Sequence, residues 1–299
     1  MRTSKRFSTS LIPGLLVLGL SAHTAGAQTS QRGVSGAGSA KSQAASSSQA
    51  PAAKIKFRPY EMNDPQLGMP ANRIAIPEDW KANSLLVWNI NAFYSPVRYH
   101  IRAEAPDSGS WVDIYSPEMF WWGDRMHDRG PFGIRDASGA IHQANISLPE
   151  ALVRCVIVPN RRNVKNLRIL GYRPVNNMAK AFSRVFTESV PQRNGICMRV
   201  QYELDGSTVD EEFYGFMPPT DAINAQSAGM EYHSFLMLAH SMGAKSSKLE
   251  SLRSLLGFIA TSIEPNRAWQ QQYQQIHRAQ LRREVQSVAQ QWASIQAAW

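Results

Sequence analysis

Cysteine is scarce in this chain, with two in 299 residues, and the two do not form a C-x-x-C pair. Zinc ribbons, zinc fingers and thioredoxin-like redox pairs need closely spaced thiols, so those classes are excluded. No glycine-rich stretch fits a P-loop or a dinucleotide fingerprint, and no cofactor is expected. No apolar run approaches the roughly 20 residues that span a bilayer, so no transmembrane segment is expected. Acids are missing from one stretch: from Arg154 to Arg199 ten basic residues face a single acid, Glu188. Its densest part, Arg161, Arg162, Lys165 and Arg168, attracts anions if the side chains share a face. Otherwise it is solvated surface.

What is present begins with an address. Arg2, Lys5 and Arg6 precede an apolar run from Leu11 to Leu20, and Ala25-Gly26-Ala27 supplies the small residues that an export peptidase reads. Residues 1–27 are therefore expected to be a signal peptide, and the protein periplasmic or secreted. Losing those three cations lowers the net charge from +9 to +6. That is moderately basic, short of a dedicated nucleic-acid binder, and export also argues against DNA. Residues 28–54 are mostly Gln, Ser, Ala and Gly, with Val34 their one apolar β-branched residue. Such a segment buries too little to offset its ordering entropy and is expected to be a disordered linker. In an exported protein Cys155 and Cys197 are expected to pair as a disulfide. The alternative is two buried thiols acting as small hydrophobes.

An α+β domain is expected over 55–264. Short runs rich in Val, Ile, Tyr and Trp, bounded by Pro and Gly, predict strands over 72–76, 85–90, 97–104 and 111–115. A helix is expected over 149–158, with Ser147 as N-cap and Pro149 in the first turn. Next come a strand over 167–172, a helix over 176–186, and strands over 196–204 and 207–216 joined by the hairpin pair Asp205-Gly206. A strand over 232–240 and a helix over 248–263 complete the domain. Hairpins outnumber crossovers, which predicts a mostly antiparallel sheet packed with helices. Residues 265–299 read as a long amphipathic helix, with Leu281, Val285, Val288, Trp292, Ile295 and Trp299 on one stripe and Trp269, Tyr273 and Ile276 extending it. The stripe either packs back on the domain or, through Trp292 and Trp299, meets a partner or a second copy as a homodimer seam.

Leu67-Gly68-Met69 leading to Ile76-Pro77-Glu78-Asp79-Trp80, and the closing Ser262-Ile263-Glu264-Pro265-Asn266-Arg267-Ala268-Trp269, resemble the opening and ending of a set of uncharacterised exported bacterial proteins. These in turn resemble, in fold, the α/β/α sandwich of PsbP, over roughly residues 65–270. The resemblance implies a PsbP-like binding or assembly factor without a catalytic site, and assigns no functional residue.

Two strings carry a hint of chemistry. Ala239-His240-Ser241-Met242-Gly243 is similar to a nucleophile elbow, which would make the chain a secreted serine hydrolase using Ser241, with His277 the one downstream histidine. The alternative reading ends a strand at Ser241 and gives Gly243 to a turn. Phe120-Trp121-Trp122, followed by Asp124, His127 and Asp128, matches no specific metal spacing, and no metal site is assigned; the aromatics either cap the core or form a stacking platform. The expected function is a non-enzymatic exported binding or assembly factor, contacting an envelope protein or an anionic envelope polymer.

Overall fold

The computed structural model describes residues 55–298 apart from 93, 124–132, 144, 183–184, 186–193, 225–229 and 246–247. The signal peptide and linker expected over 1–54, and Trp299, lie outside the described residues.

A β-hairpin opens the ordered chain: β1 (Phe57–Asp64) and β2 (Met69–Pro77) pair antiparallel across a turn in which Gly68 takes the left-handed φ of 64°. β3 (Lys81–Trp88), β4 (Val97–Glu104) and β5 (Ser110–Tyr115) follow as antiparallel neighbours, then β6 (Glu118–Gly123) and β7 (Ile141–His142). The helical segment starts as expected, with Ser147 Oγ accepting from the Glu150 amide at 3.4 Å. α1 (Leu148–Leu152) then widens into a π-helical turn at Val153–Ile157 and finishes as α2 (Val158–Asn160).

β8 (Lys165–Val175) and the single-turn α3 (Met178–Ala181) come next. That helix is shorter than expected because Phe182 has already left helical geometry at φ −105°, ψ 33°. β9 (Gly195–Leu204) and β10 (Ser207–Phe216) form the expected hairpin, with Asp205 and Gly206 at φ 49° and 74° as a two-residue turn of that twist requires. β11 (Asp221–Asn224), the long β12 (Met230–Lys245), α4 (Leu249–Thr261), β13 (Glu264–Pro265) and α5 (Arg267–Ala298) complete the chain.

The result is the expected α+β class. The main sheet has ten strands, with the continuous order β3-β4-β5-β12-β10-β9-β8 and β6, β7 and β11 attached through β12. β12 serves two sets of partners: Glu231–Leu236 pair with β6, while His240–Ala244 pair with β5. Leu238 between them has a φ of 53°, the bend that redirects the strand.

One face of the sheet is covered by α1, the π turn and α2, which bury Leu152, Val156 and Ile157 against Met198, Val200, Phe213 and Tyr202. The other face carries α4 against β12 and β5. Because strand side chains alternate between faces, Met198 and Val200 point to the α1 side, whereas Cys197 and Arg199 point to the α4 side, where Arg199 meets Glu250. Cys155, on the π turn, belongs to the α1 side. The thiols are free. The disulfide expectation is thus corrected: a sheet separates the two side chains, and bridging needs Cα atoms within about 7 Å. The alternative of two separate thiols describes them.

Asp64 fixes α5. Its carboxylate is fully buried, takes the Gln66 and Leu67 amides on Oδ1, and accepts on Oδ2 from two indoles, Trp88 at 2.9 Å and Trp269 at 2.7 Å. Tyr273 stacks on Trp269 at 5.2 Å and His277 on Tyr273 at 5.5 Å, so the first half of α5 lies on the body. Beyond Leu281 the described side chains are exposed, including Val285 at 50% and Ile295 at 49%. The side chain of Trp292 lies outside what is described. Among the described residues no helix is long and apolar enough to cross a membrane.

Asp64→Ala leaves two indole N–H groups without their acceptor, and should cost about 2–4 kcal/mol in urea unfolding while speeding amide exchange in 267–281. Unchanged stability and exchange would show that the carboxylate does not hold the helix.

Candidate functional site

The α1-side face of the central strands carries an ionic network instead of a wholly apolar core. On β12 the residues facing that side are small: Ala239, Ser241 and Gly243. They leave a trough between β5 and β10. The Trp111 indole lies over Gly243, where an added Cβ would stand 2.3 Å from the ring. Arg161, capping α2, reaches into the same region. Its Nε donates to Glu211 Oε2 at 2.7 Å and its Nη2 to Asp113 Oδ2 at 2.7 Å, with a further contact to Glu211 Oε1.

Glu211 also accepts from Tyr202 at 2.8 Å and from the Trp111 indole at 3.2 Å. Asp113 also accepts from Arg102 at 3.1 Å and meets His100 Nε2 at 2.9 Å. Both carboxylates are fully buried. Arg102 and His100 reach the rim, where His100 stacks on Tyr115.

Burial alone would raise the Asp113 carboxyl, but the His100 hydrogen bond and the Arg161 and Arg102 charges outweigh it and hold the group well below the usual carboxylate range. Burial, reinforced by the neighbouring carboxylates, pushes Tyr115 and Tyr202 far above the usual phenol. Burial takes the Cys155 thiol up to about 12 and Cys197 to about 11. Every one of these displaced groups has moved away from neutrality, the reverse of what general acid–base work asks for.

Arg161 is only 8% exposed and neutralised by two carboxylates, which corrects its expected place on an anion-binding surface. The π turn and α2 carry it inward, while Arg162, Lys165 and Arg168 stay exposed. Ser241 lies within β12, paired across to Asp113 and Phe213, and not at a strand-to-helix elbow. Its hydroxyl meets Tyr115 at 3.3 Å, and His277 belongs to the Trp269–Tyr273 stack on α5. The elbow reading of 239–243 is therefore corrected. Gly243 is a seat for Trp111, not a turn.

The aromatic triplet is part of β6. Phe120 and Trp121 are buried and Trp122 stacks on Tyr232 at 5.3 Å. Asp124, His127 and Asp128 lie outside the described residues, and among the described ones no cluster could hold a metal.

Sequence reasoning missed a cavity of about 350 Å3 on the α1 side, where Arg98, Arg135 and Arg154 converge with Glu118 and Cys155. Glu118 is buried and gripped by Arg98 and Arg135. The three arginines lie far apart in sequence, so no local pattern could have announced them. A second unanticipated feature is β8, whose outer edge pairs with no described strand.

His240 generates a pH-dependent test. It is buried against Tyr214 and Phe182, and its Nδ1 meets the Leu238 carbonyl at 2.8 Å, clamping the bend in β12. Burial lowers it to about 4, slightly opposed by that backbone bond. The unfolded chain takes up the proton below about pH 6.5 and the folded chain does not, so stability falls as pH drops from there toward 4. The stability advantage of the wild type over His240→Gln should shrink by about 3 kcal/mol between pH 7 and pH 4. An advantage independent of pH would contradict this.

No family model matches the chain, and no curated protein matches it. Solved structures similar to it include CyanoP, the PsbP of the cyanobacterium Synechocystis sp. PCC 6803, at 7% identity and a TM-score of 0.32, over 73% of this chain and 98% of that one. A protein of unknown function from Pseudomonas aeruginosa covers 70% of this chain and 97% of its own at 7% identity and 0.25. LpqN, involved in cell envelope biogenesis of Mycobacterium tuberculosis, is 10% identical with a TM-score of 0.24, over 70% of this chain and 90% of its own. The PsbP type to which the sequence motifs point is thus among the similar structures, and at these TM-scores the likenesses carry nothing about chemistry or partners.

Proposed function

We propose that the protein is an exported binding or assembly factor of the cell envelope, periplasmic or secreted, that holds an acidic protein partner through β8, with the distal half of α5 as a second contact. The observation that carries this reading is the surface of β8. Ile169, Leu170 and Tyr172 are 50%, 52% and 63% exposed on a strand covered by neither helical layer. Register puts Ile169 beside Val200 and Tyr172 beside Met198, on the α1 side, and Arg168 and Arg173 beside Gln201 and Cys197, on the α4 side. The strand therefore offers an apolar face and a basic face; Lys165, beside Glu203, adds to the second, and exposed Arg162 lies just before the strand.

Two irregularities in register, Lys165, Arg168 and Pro174 are the devices that stop an edge from pairing with any passing strand. They do not account for exposed Ile169 and Tyr172 on one face, with Leu170 exposed at the irregularity between them, and exposed apolar groups rimmed by charge are a mark of an interaction surface. The partner contact is accordingly through side chains, not strand addition. On α5, Val285 and Ile295 are exposed, and in sequence they share the stripe expected to include Trp292 and Trp299, an apolar helix pattern of the kind that partners recognise.

The test compares envelope extracts captured on the full chain, on Arg162→Glu/Lys165→Glu/Arg168→Glu, on Ile169→Ser/Tyr172→Ser, and on a chain ending at Leu281. These are exposed positions, where a change shifts stability by about 0.5 kcal/mol or less. One acidic protein should be retained by the wild type and fall at least tenfold with either β8 variant. Equal recovery on both would remove β8 from the contact, and equal recovery on the shortened chain would remove the tail. A doubled mass lost with the tail would make the stripe a homodimer seam.

A further inference from the structure

We propose that the cavity between β4, β6 and the π turn binds a small amphipathic organic anion, its carboxylate or phosphate head on the arginines and a short apolar body against Phe120, Ile141 and Ile146. The site is independent of β8, and either can fail without the other.

Charge balance is the first argument. Arg98, Arg135 and Arg154 all line the cavity, and Glu118 is the one acid among its described lining residues. Arg98 holds Glu118 through both guanidinium ends, with Nη1 on Oε2 at 3.1 Å, and Arg135 reaches the same oxygen. Arg154 is set apart: Gln143 accepts from its Nη1 at 3.0 Å, and Glu150 lies 3.3 Å from its Nε at a half-exposed surface. Among the described residues three guanidiniums thus meet two carboxylates, leaving one positive charge in excess beside an apolar wall. The side chains of Arg98, Arg135 and Arg154 are 42%, 32% and 53% exposed, so water screens part of that excess, and an answering anion gains most at the inner end beside buried Glu118 and the apolar wall.

Geometry is the second. Guanidiniums present planar paired donors that fit carboxylate and phosphate oxygens, and Glu118 shows that two of the three are already held in such a pairing. Gln143 fixes the third at the cavity wall, so little ordering remains to be done on binding. The Cys155 thiol adds no negative charge, since burial, with Glu118 next, keeps it protonated up to about 12. Size is the third. A volume of about 350 Å3 lies at the small end of ligand sites, suited to a short-chain acid and too small for a polymer.

Calorimetric titration of the full chain with sodium octanoate, octyl phosphate and 1-octanol tests this. One equivalent of octanoate or of octyl phosphate should bind, and the tighter of the two identifies the head. Octanol should bind at least tenfold more weakly. Arg154→Gln, a half-exposed position, should weaken the anion at least tenfold with near-ultraviolet dichroism unchanged. Binding should also slow amide hydrogen exchange over Val153–Ile157 and leave the Gly195–Leu204 strand, on the far side of the cover, unaffected, a readout that needs no variant. No binding of either anion, octanol binding as tightly as the anions, or unchanged exchange over Val153–Ile157 at saturation would overturn the proposal.

Discussion

A guanidinium set between two fully buried carboxylates holds the centre of this protein together. Arg161 comes from the end of the helical segment, Asp113 from β5 and Glu211 from β10, so one side chain ties the covering layer to strands on either side of β12. Two carboxylates and the guanidiniums of Arg161 and Arg102 balance in charge, and Tyr202, Trp111 and His100 occupy remaining hydrogen-bonding positions. Such a network is stable because it is nearly complete; removing one member strands the others.

Much of the local sequence follows from accommodating it. Small residues at 239, 241 and 243 open the trough, and Gly243 is required because the Trp111 ring occupies the space a Cβ would take. That ring donates to Glu211, so the packing of an indole and the orientation of a buried carboxylate are one problem. Surface chemistry is pushed outward by the same arrangement. With Arg161 consumed internally, the exposed cations that follow it are Arg162, just before β8, and Lys165, Arg168 and Arg173 on β8, a strand the helical cover does not reach. The cavity is the other by-product: the widened turn at Val153–Ile157 faces Arg154 and Cys155 toward Arg98 and Arg135.

Local rules were legible. Asp205-Gly206 specified its hairpin, Ser147 its cap, and the Val97–Glu104 strand its limits, because each depends on a few adjacent residues. What depended on which face a residue meets was not legible. Ten cations in a stretch do not reveal that one of them turns inward against acids 48 and 50 residues away. An even cysteine number, with export expected, pointed to a bridge, while strand parity put Cys197 on the face opposite the π turn that carries Cys155. The string around Ser241 looked catalytic because small residues serve a tight turn and a packed trough equally well. β6 hid inside an aromatic triplet whose pairing partner, β12, lies more than a hundred residues on.

The most direct test of this account is a double-mutant cycle between Arg161→Met and Glu211→Gln, followed by urea unfolding. Each single change leaves a buried partner incomplete and should cost about 3–5 kcal/mol, and the double variant should cost at least about 2 kcal/mol less than the two combined. Additivity within about 0.5 kcal/mol would mean that the two groups act independently and that the fold does not depend on their pairing.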